Sequence, residues 1–221
     1  MTFSLVVRDG ERFGVAAASS SPAVAARVVH LRPGAGAATS QNITDPRLGT
    51  ALLERLAAHG DAERALREVT GASADIAYRQ LTVLGRTGPG YAYSGSHTLG
   101  THASATADGA VAAGNMLCGE HLPGVLLDAY ATATGELEER LLTAMRAAVA
   151  AGGEEGPVHS AGLAVVADVG WRVTDLRVDW AEDPVDRLGD LLDVWLPQRD
   201  DYVRRGLDPA ASPSYGVPGD L

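Results

Sequence analysis

The second residue is a threonine, which can become a nucleophile simply by losing its neighbour. An initiator methionine is readily removed when the next residue is small, and threonine qualifies. Loss of Met1 would leave a hydroxyl and a free α-amine on Thr2. An α-amine has a reference pKa of about 7.7–8.0, so a useful fraction is neutral near pH 7 and can take the hydroxyl proton, directly or through a water. This pairing is an activated nucleophile that needs no histidine, second base, metal or other cofactor. A Met-Thr opening is common and says little alone. Thr2 is distinguished by its position, because it is expected to start a strand directly, whereas ordinary termini fray.

Other polar residues fall where they could serve such a nucleophile. Arg8 and Asp9 close the first strand, where a cation or an acid could tune the α-amine or hold a substrate carboxylate. The plainer reading is that Asp9-Gly10 is a hairpin turn with Arg8 solvated. Ser19, Ser20 and Ser21 end the second strand, and their hydroxyls could steady the Thr2 amine or simply cap the strand. Thr39, Ser40 and Gln41 end a third, glycine-rich strand, and Thr39 or Gln41 is expected to line the pocket. Asn115 follows Gly114 after a short strand. Its amide could donate to a tetrahedral oxyanion, a contribution worth about 2.7–4 kcal/mol; otherwise it is a turn asparagine.

His97 and His102, with Glu120 and His121 downstream, contain ligand types that suit zinc. Their spacing is not that of a helical pair, and no His-Glu-x-x-His motif is present, so no metal site is expected. Gly95-Ser96-His97 is not a nucleophile elbow, because Thr98 stands where glycine is required. Cys118 lies beside Leu117 in an apolar stretch and is expected to pack. No phosphate-binding loop or dinucleotide fingerprint appears.

Bulk composition narrows the function classes. Of 221 residues, 46% are hydrophobic and 21% charged, as in a folded protein with a sizeable core. The formal charge of −10, from 28 acidic and 18 basic residues, disfavours nucleic acid and anionic membrane surfaces. A single cysteine forbids an internal disulfide and fits a reducing, cytoplasmic setting. Neither a signal peptide nor an apolar run of membrane-spanning length is evident. A symmetric homodimer is the default assembly.

The elements that must position these residues can be read from patterning. Thr2–Val7 and Phe13–Ser19 form an N-terminal hairpin about Asp9-Gly10. Ala25–Leu31 and Ala35–Ser40 read as strands joined by Pro33-Gly34. Asp45-Pro46 opens a helix with Leu48, Leu52 and Leu56 on one face, and a second helix runs from Asp61 to Val69. Ile76–Leu84, Tyr91–Ser94 and Ala110–Gly114 look extended. Leu122–Thr132 and Leu137–Ala151 read as helices, the latter ended by Gly152-Gly153. Ser160–Ala167 and Trp171–Val178 form a closing hairpin. Asp183-Pro184 starts a last helix with Val185, Leu188, Leu191, Leu192 and Trp195 on its apolar face. One domain is expected over 1–206, followed by an irregular Pro/Gly/Ser-rich tail over 207–221. Clustered strands and helix pairs argue for an α+β fold with mainly antiparallel sheet, and helix pairs between strand groups suit a four-layer αββα sandwich.

The opening MTFSLVVRDGERFGVAAASSS resembles the start of the domain of unknown function 1028 family, whose members look like N-terminal nucleophile (Ntn) hydrolases. The likeness continues through Gly34–Gln41, Tyr78–Leu81, Gly114–Leu117, Asp175–Asp179, Asp183-Pro184 and the tail from Ser214 to Asp220, and so covers nearly the whole chain. It implies the αββα Ntn-hydrolase-like fold and hydrolysis of an amide bond in a small amide or peptide. Two places depart from the family pattern. Ser94–Ala105 lacks an expected tryptophan-containing segment, and His159 stands where a glutamine is usual. Two functions are therefore in view. One is an amidohydrolase with Thr2 as nucleophile; the other is an Ntn-fold protein without catalysis, acting in binding or assembly.

Overall fold

The computed structural model describes residues 1–217. Ten strands and six α-helices build two antiparallel sheets covered on their outer faces by helices. The first sheet contains β1 (Thr2–Asp9), β2 (Arg12–Ser19), β7 (Ala103–Ala107), β8 (Ala110–Asn115), β9 (Ser160–Val166) and β10 (Arg172–Val178), in the order β10-β9-β2-β1-β8-β7. The second contains β3 (Val29–Arg32), β4 (Gly36–Asn42), β5 (Arg79–Gly85) and β6 (Tyr91–Ser94), in chain order. β1 is therefore a central strand, paired on both sides, and its first residue is Thr2.

The alternation of β1 decides what its side chains can do. Phe3, Leu5 and Val7 face outward into a core with α4 (Leu122–Thr132), α5 (Leu137–Ala150) and α6 (Pro184–Leu207). Val6 faces the second sheet, in a core with Phe13, Val15, Val111 and Leu84. Thr2 and Ser4 share the parity of Val6, so their hydroxyls lie in the layer between the sheets. A third core packs α2 (Pro46–His59) and α3 (Ala62–Ala72) on the far side of the second sheet through Leu52, Leu56, Leu66 and Leu81. The layer order is αββα, as the family resemblance implies.

The helix boundaries follow from local chemistry. Asp45 caps α2 by accepting from the Arg47 amide at 3.1 Å, Pro46 sits in the first turn, and Gly60 ends the helix in a left-handed conformation. Asp61 caps α3 by accepting from the Arg64 amide at 2.9 Å. Glu136 and Glu139 form a reciprocal capping box at the start of α5.

Several expected elements differ in detail. Where a strand over Ala25–Leu31 was expected, Ala25–Val28 is one helical turn, α1, and the paired strand is Val29–Arg32. The chain must turn there to pass from the first sheet to the second. Ile76–Tyr78 is a 3₁₀ turn and β5 begins at Arg79. β7 was not legible, because its ASATA alternates small residues only. The last helix continues through Pro197 to Leu207, a 3₁₀ turn spans Pro209–Ala211, and Leu191 is exposed rather than packed. Positions 218–221 of the expected tail lie outside the described residues.

α6 is held by a buried ion pair. Arg199 donates to Glu138 of α5, which is fully buried and also accepts from Thr174 at 2.6 Å. Removing one partner leaves a charge stranded in the core, whereas an exposed pair such as Arg187–Asp183 contributes little. Arg199→Met should therefore lower stability by about 3–5 kcal/mol in urea denaturation, and Arg187→Met by less than about 1 kcal/mol. Equal effects from the two would contradict the buried-pair assignment.

Candidate active site

The polar end of the inter-sheet layer collects most of the residues singled out by type. Thr2 pairs with Asn115 across β1 and β8. On the other side, Phe3 pairs with Ala18, so Thr2 lies next to Ser19, and their hydroxyls are 3.4 Å apart. The Thr2 and Ser19 hydroxyls both donate to the Met1 carbonyl oxygen. Ser19 Oγ also accepts from the Ser21 amide at 3.0 Å. Thr2 is 6% exposed, so the start of the chain is tied into the sheet rather than frayed.

Behind Thr2, a ladder of amides joins the sheets. Ser4 donates to Gln41 Oε1 at 2.7 Å, and Gln41 Nε2 donates to Gln80 Oε1 at 2.8 Å and to the Ala113 carbonyl at 3.2 Å. Gln80 Nε2 donates to Ser94 Oγ at 3.0 Å and to the Gly114 carbonyl at 2.9 Å. Asn115 Nδ2 donates to Gln80 Oε1 at 3.0 Å. Among the described residues this is the one bond the Asn115 amide nitrogen donates, which leaves its second N–H uncommitted there. Among the described residues Asn115 Oδ1 has no hydrogen-bond partner, although the residue is fully buried. Thr39 lies one step deeper, with its hydroxyl 2.6 Å from that of Thr82. Gln41 and Thr39 therefore sit in the inter-sheet layer, but as braces rather than at the Thr2 hydroxyl.

The third component is Glu154, in the turn after α5. A left-handed backbone at Met116 (φ 50°) redirects the chain after β8. Leu117 then bridges Glu154, while the Glu155 amide donates to the Met116 carbonyl at 2.9 Å and the Cys118 amide to the Gly153 carbonyl at 3.1 Å. Glu154 is 4% exposed and, among the described residues, neither carboxylate oxygen meets a partner at full hydrogen-bond geometry. Burial pushes its pKa up to about 7, while the chain's amino terminus and Ser20, which face it, pull it back down. Ser20 and the amino terminus are thus the polar neighbours of a buried acid.

The structure does not bring Arg8 and Asp9 to this place. They lie at the opposite end of β1, about 20 Å away at the rise of an extended strand. Arg8 donates to the Gly85 and Gly88 carbonyls at 2.7 and 3.1 Å, and Asp9 accepts from Arg12 at 2.6 Å. They clamp the far end of the sandwich. Ser40 faces the helix side and donates to the Asp45 carbonyl at 2.8 Å. His97 packs against Tyr78, and His102 lies close to the Gly100 carbonyl. His159 stacks on Trp180 at 4.3 Å, while its amide donates to the Ser19 carbonyl at 2.9 Å. Among the described residues no three His, Cys, Asp or Glu side chains converge as a metal site. Cys118 is exposed rather than packed, because the turn at Met116 carries it outward.

Sequence reasoning missed Ser4, Gln80 and Glu154. Ser4 was legible from strand parity with Thr2. Gln80 shows only as an amide at the head of an apolar strand. Glu154 stands in Gly-Gly-Glu-Glu-Gly, where the glycines announce a helix stop and nothing announces burial.

Comparison with known proteins places this geometry in a family. No curated protein matches the sequence significantly. The crystal structure of protein SPO2555 from Silicibacter pomeroyi, itself assigned to DUF1028, is similar at 29% identity and a TM-score of 0.85, covering 92% of this chain and 90% of that one. HslV from Trypanosoma brucei aligns at 15% identity and a TM-score of 0.48, covering 74% of this chain and 98% of that one. Anbu from Yersinia bercovieri aligns at 12% and 0.41, covering 89% and 97%. The last two alignments are too loose to assign a role to any residue. The model of the family of unknown function DUF1028 matches residues 2–188, and the chain belongs to that family.

Proposed function

We propose that the protein is an Ntn-type amidohydrolase in which Thr2, after removal of Met1, attacks the carbonyl of a small amide or peptide. One observation carries this reading: Thr2 begins a strand paired on both sides, and its hydroxyl is buried among hydrogen-bonding groups that already hold a carbonyl oxygen. Thr2 Oγ adds to the substrate carbonyl carbon while its proton passes to the Thr2 α-amine. The oxygen that becomes negative receives hydrogen bonds from Ser19 Oγ, as the Met1 carbonyl does here, and from the free N–H of Asn115. Collapse breaks the C–N bond, and the leaving amine takes the proton from the α-ammonium. Water then adds to the Thr2 ester with the α-amine as base. Its collapse releases the carboxylic acid and returns the proton to Thr2 Oγ. The net change is amide plus water to acid plus amine.

Two measurements test this account. Thr2→Ala should abolish amidase activity over a panel of small amides, with an unchanged circular dichroism spectrum. Activity equal to that of the parent chain would reject Thr2 as the nucleophile, whereas inactivity of both would favour a binding or assembly protein. Glu154 supplies the second. Its folded pKa of about 7 exceeds the ordinary value of 4.5, so the folded chain keeps a proton that the unfolded chain releases. Stability is full below about pH 4.5 and falls as pH rises through 7, by on the order of 3 kcal/mol. Retaining such a cost beside the amino terminus supports a working role for this acid. In urea denaturation Glu154→Gln should be more stable than the parent at pH 8, with the gap closing toward pH 4.5. A gap independent of pH would show that Glu154 is not the strained acid.

A further inference from the structure

Met1 occupies its place like a bound residue rather than a loose end. Its carbonyl oxygen accepts from Ser19 and Thr2. Its terminal methyl lies against Gly156, where an added Cβ would stand 3.0 Å from Met1 Cε. Gly156 also lines an open cleft of about 360 Å³, with Val149, Pro157 and Val158 on one side and Glu182, Asp183 and Asp186 on the other, so the place of the Met1 side chain borders a larger space with both apolar and acidic walls. Its ammonium faces Glu154 but makes no salt bridge to it among the described residues, although that carboxylate is buried and has no hydrogen-bond partner. The ammonium is tethered to Thr2 through the Met1–Thr2 peptide bond. A residue free of that bond could close the gap.

We propose that the space held by Met1 is the subsite for the acyl side of the substrate, and that it takes a residue with a free α-ammonium and an unbranched apolar side chain. This rests on the reading of Thr2 as the nucleophile. The substrate class is then an aminoacyl amide or the first residue of a short peptide. Glu154 reads the ammonium, the glycine-lined wall at Gly156 accepts the side chain, and Ser19 holds the carbonyl next to Thr2 Oγ. A buried carboxylate with empty hydrogen-bonding positions gains most from a cationic partner, because any other occupant leaves it desolvated and unpaired. The net charge of −10 also draws cationic ligands toward the protein.

The test separates this subsite from the chemistry. A chain beginning at position 2 and carrying Thr2→Ala, released by cleaving an N-terminal fusion, is titrated calorimetrically with methionine amide and with its desamino analogue, 4-(methylthio)butanamide. Methionine amide should bind at least 10-fold more tightly. Adding Glu154→Gln should bring the two affinities within about twofold. Equal binding by the Glu154 chain, a preference that survives Glu154→Gln, or no binding of either compound would overturn the proposal. The titration needs no turnover, so a Glu154-dependent preference beside an inactive Thr2 chain would reject the nucleophile and keep the subsite.

Discussion

A polar end between two stacked sheets is stable only if its buried amides find partners, and the Gln41–Gln80 pair supplies most of them here, with Asn115 Oδ1 the amide atom left over. A buried amide without a partner costs about 1–3 kcal/mol. Gln80 receives Gln41 and Asn115 on its oxygen and donates to Ser94 and the Gly114 carbonyl. Gln41 receives Ser4 and donates to the Ala113 carbonyl as well. These bonds span β1, β4, β5, β6 and β8, so they set both the separation of the sheets and the height at which Thr2 sits. The apolar cores around Leu5, Phe13 and Leu52 supply most of the burial. The ladder makes one arrangement of the polar end preferable to its neighbours.

That fixed end gives the first residues of the chain a defined place. Strand pairing on both sides places Thr2 between Ser19 and Asn115, and the left-handed turn at Met116 leads to the bridge between Leu117 and Glu154. Among the described residues, Asn115 Oδ1 and both Glu154 carboxylate oxygens are buried around the amino terminus without a hydrogen-bond partner; His59 Nε2, Tyr130 Oη and Arg140 Nε are in the same state elsewhere in the protein. Buried groups kept in an unfavourable state commonly mark a working site, because packing alone would favour their replacement. Arg8 illustrates the converse: its donors are taken up by backbone carbonyls, and it serves the opposite end of the sandwich.

The legible parts of the sequence were those governed by a period or a cap. Strand alternation in Thr2–Val7 and leucine spacing at Leu48, Leu52 and Leu56 give the layers, and Asp45 and Asp61 mark helix starts. Ser19 and Ser20 were legible as site neighbours because a tight hairpin forces the end of the second strand beside the start of the first. The same hairpin placed Arg8 and Asp9 at its turn, farthest from Thr2, which strand geometry alone could have ruled out. Glu154 was not legible. Its burial comes from a turn about 40 residues earlier in the chain, at Met116, and no local pattern encodes a contact of that kind.

The central claim is that Thr2 works with its own amine, which exists only when Met1 is gone. Intact mass and N-terminal sequencing of the protein isolated from its own host test this most directly. The account predicts a chain lighter by one methionine residue, beginning at Thr2. Complete retention of Met1 would contradict it, because the Thr2 nitrogen would then be locked in a peptide bond and the acyl subsite filled by the chain's own first residue.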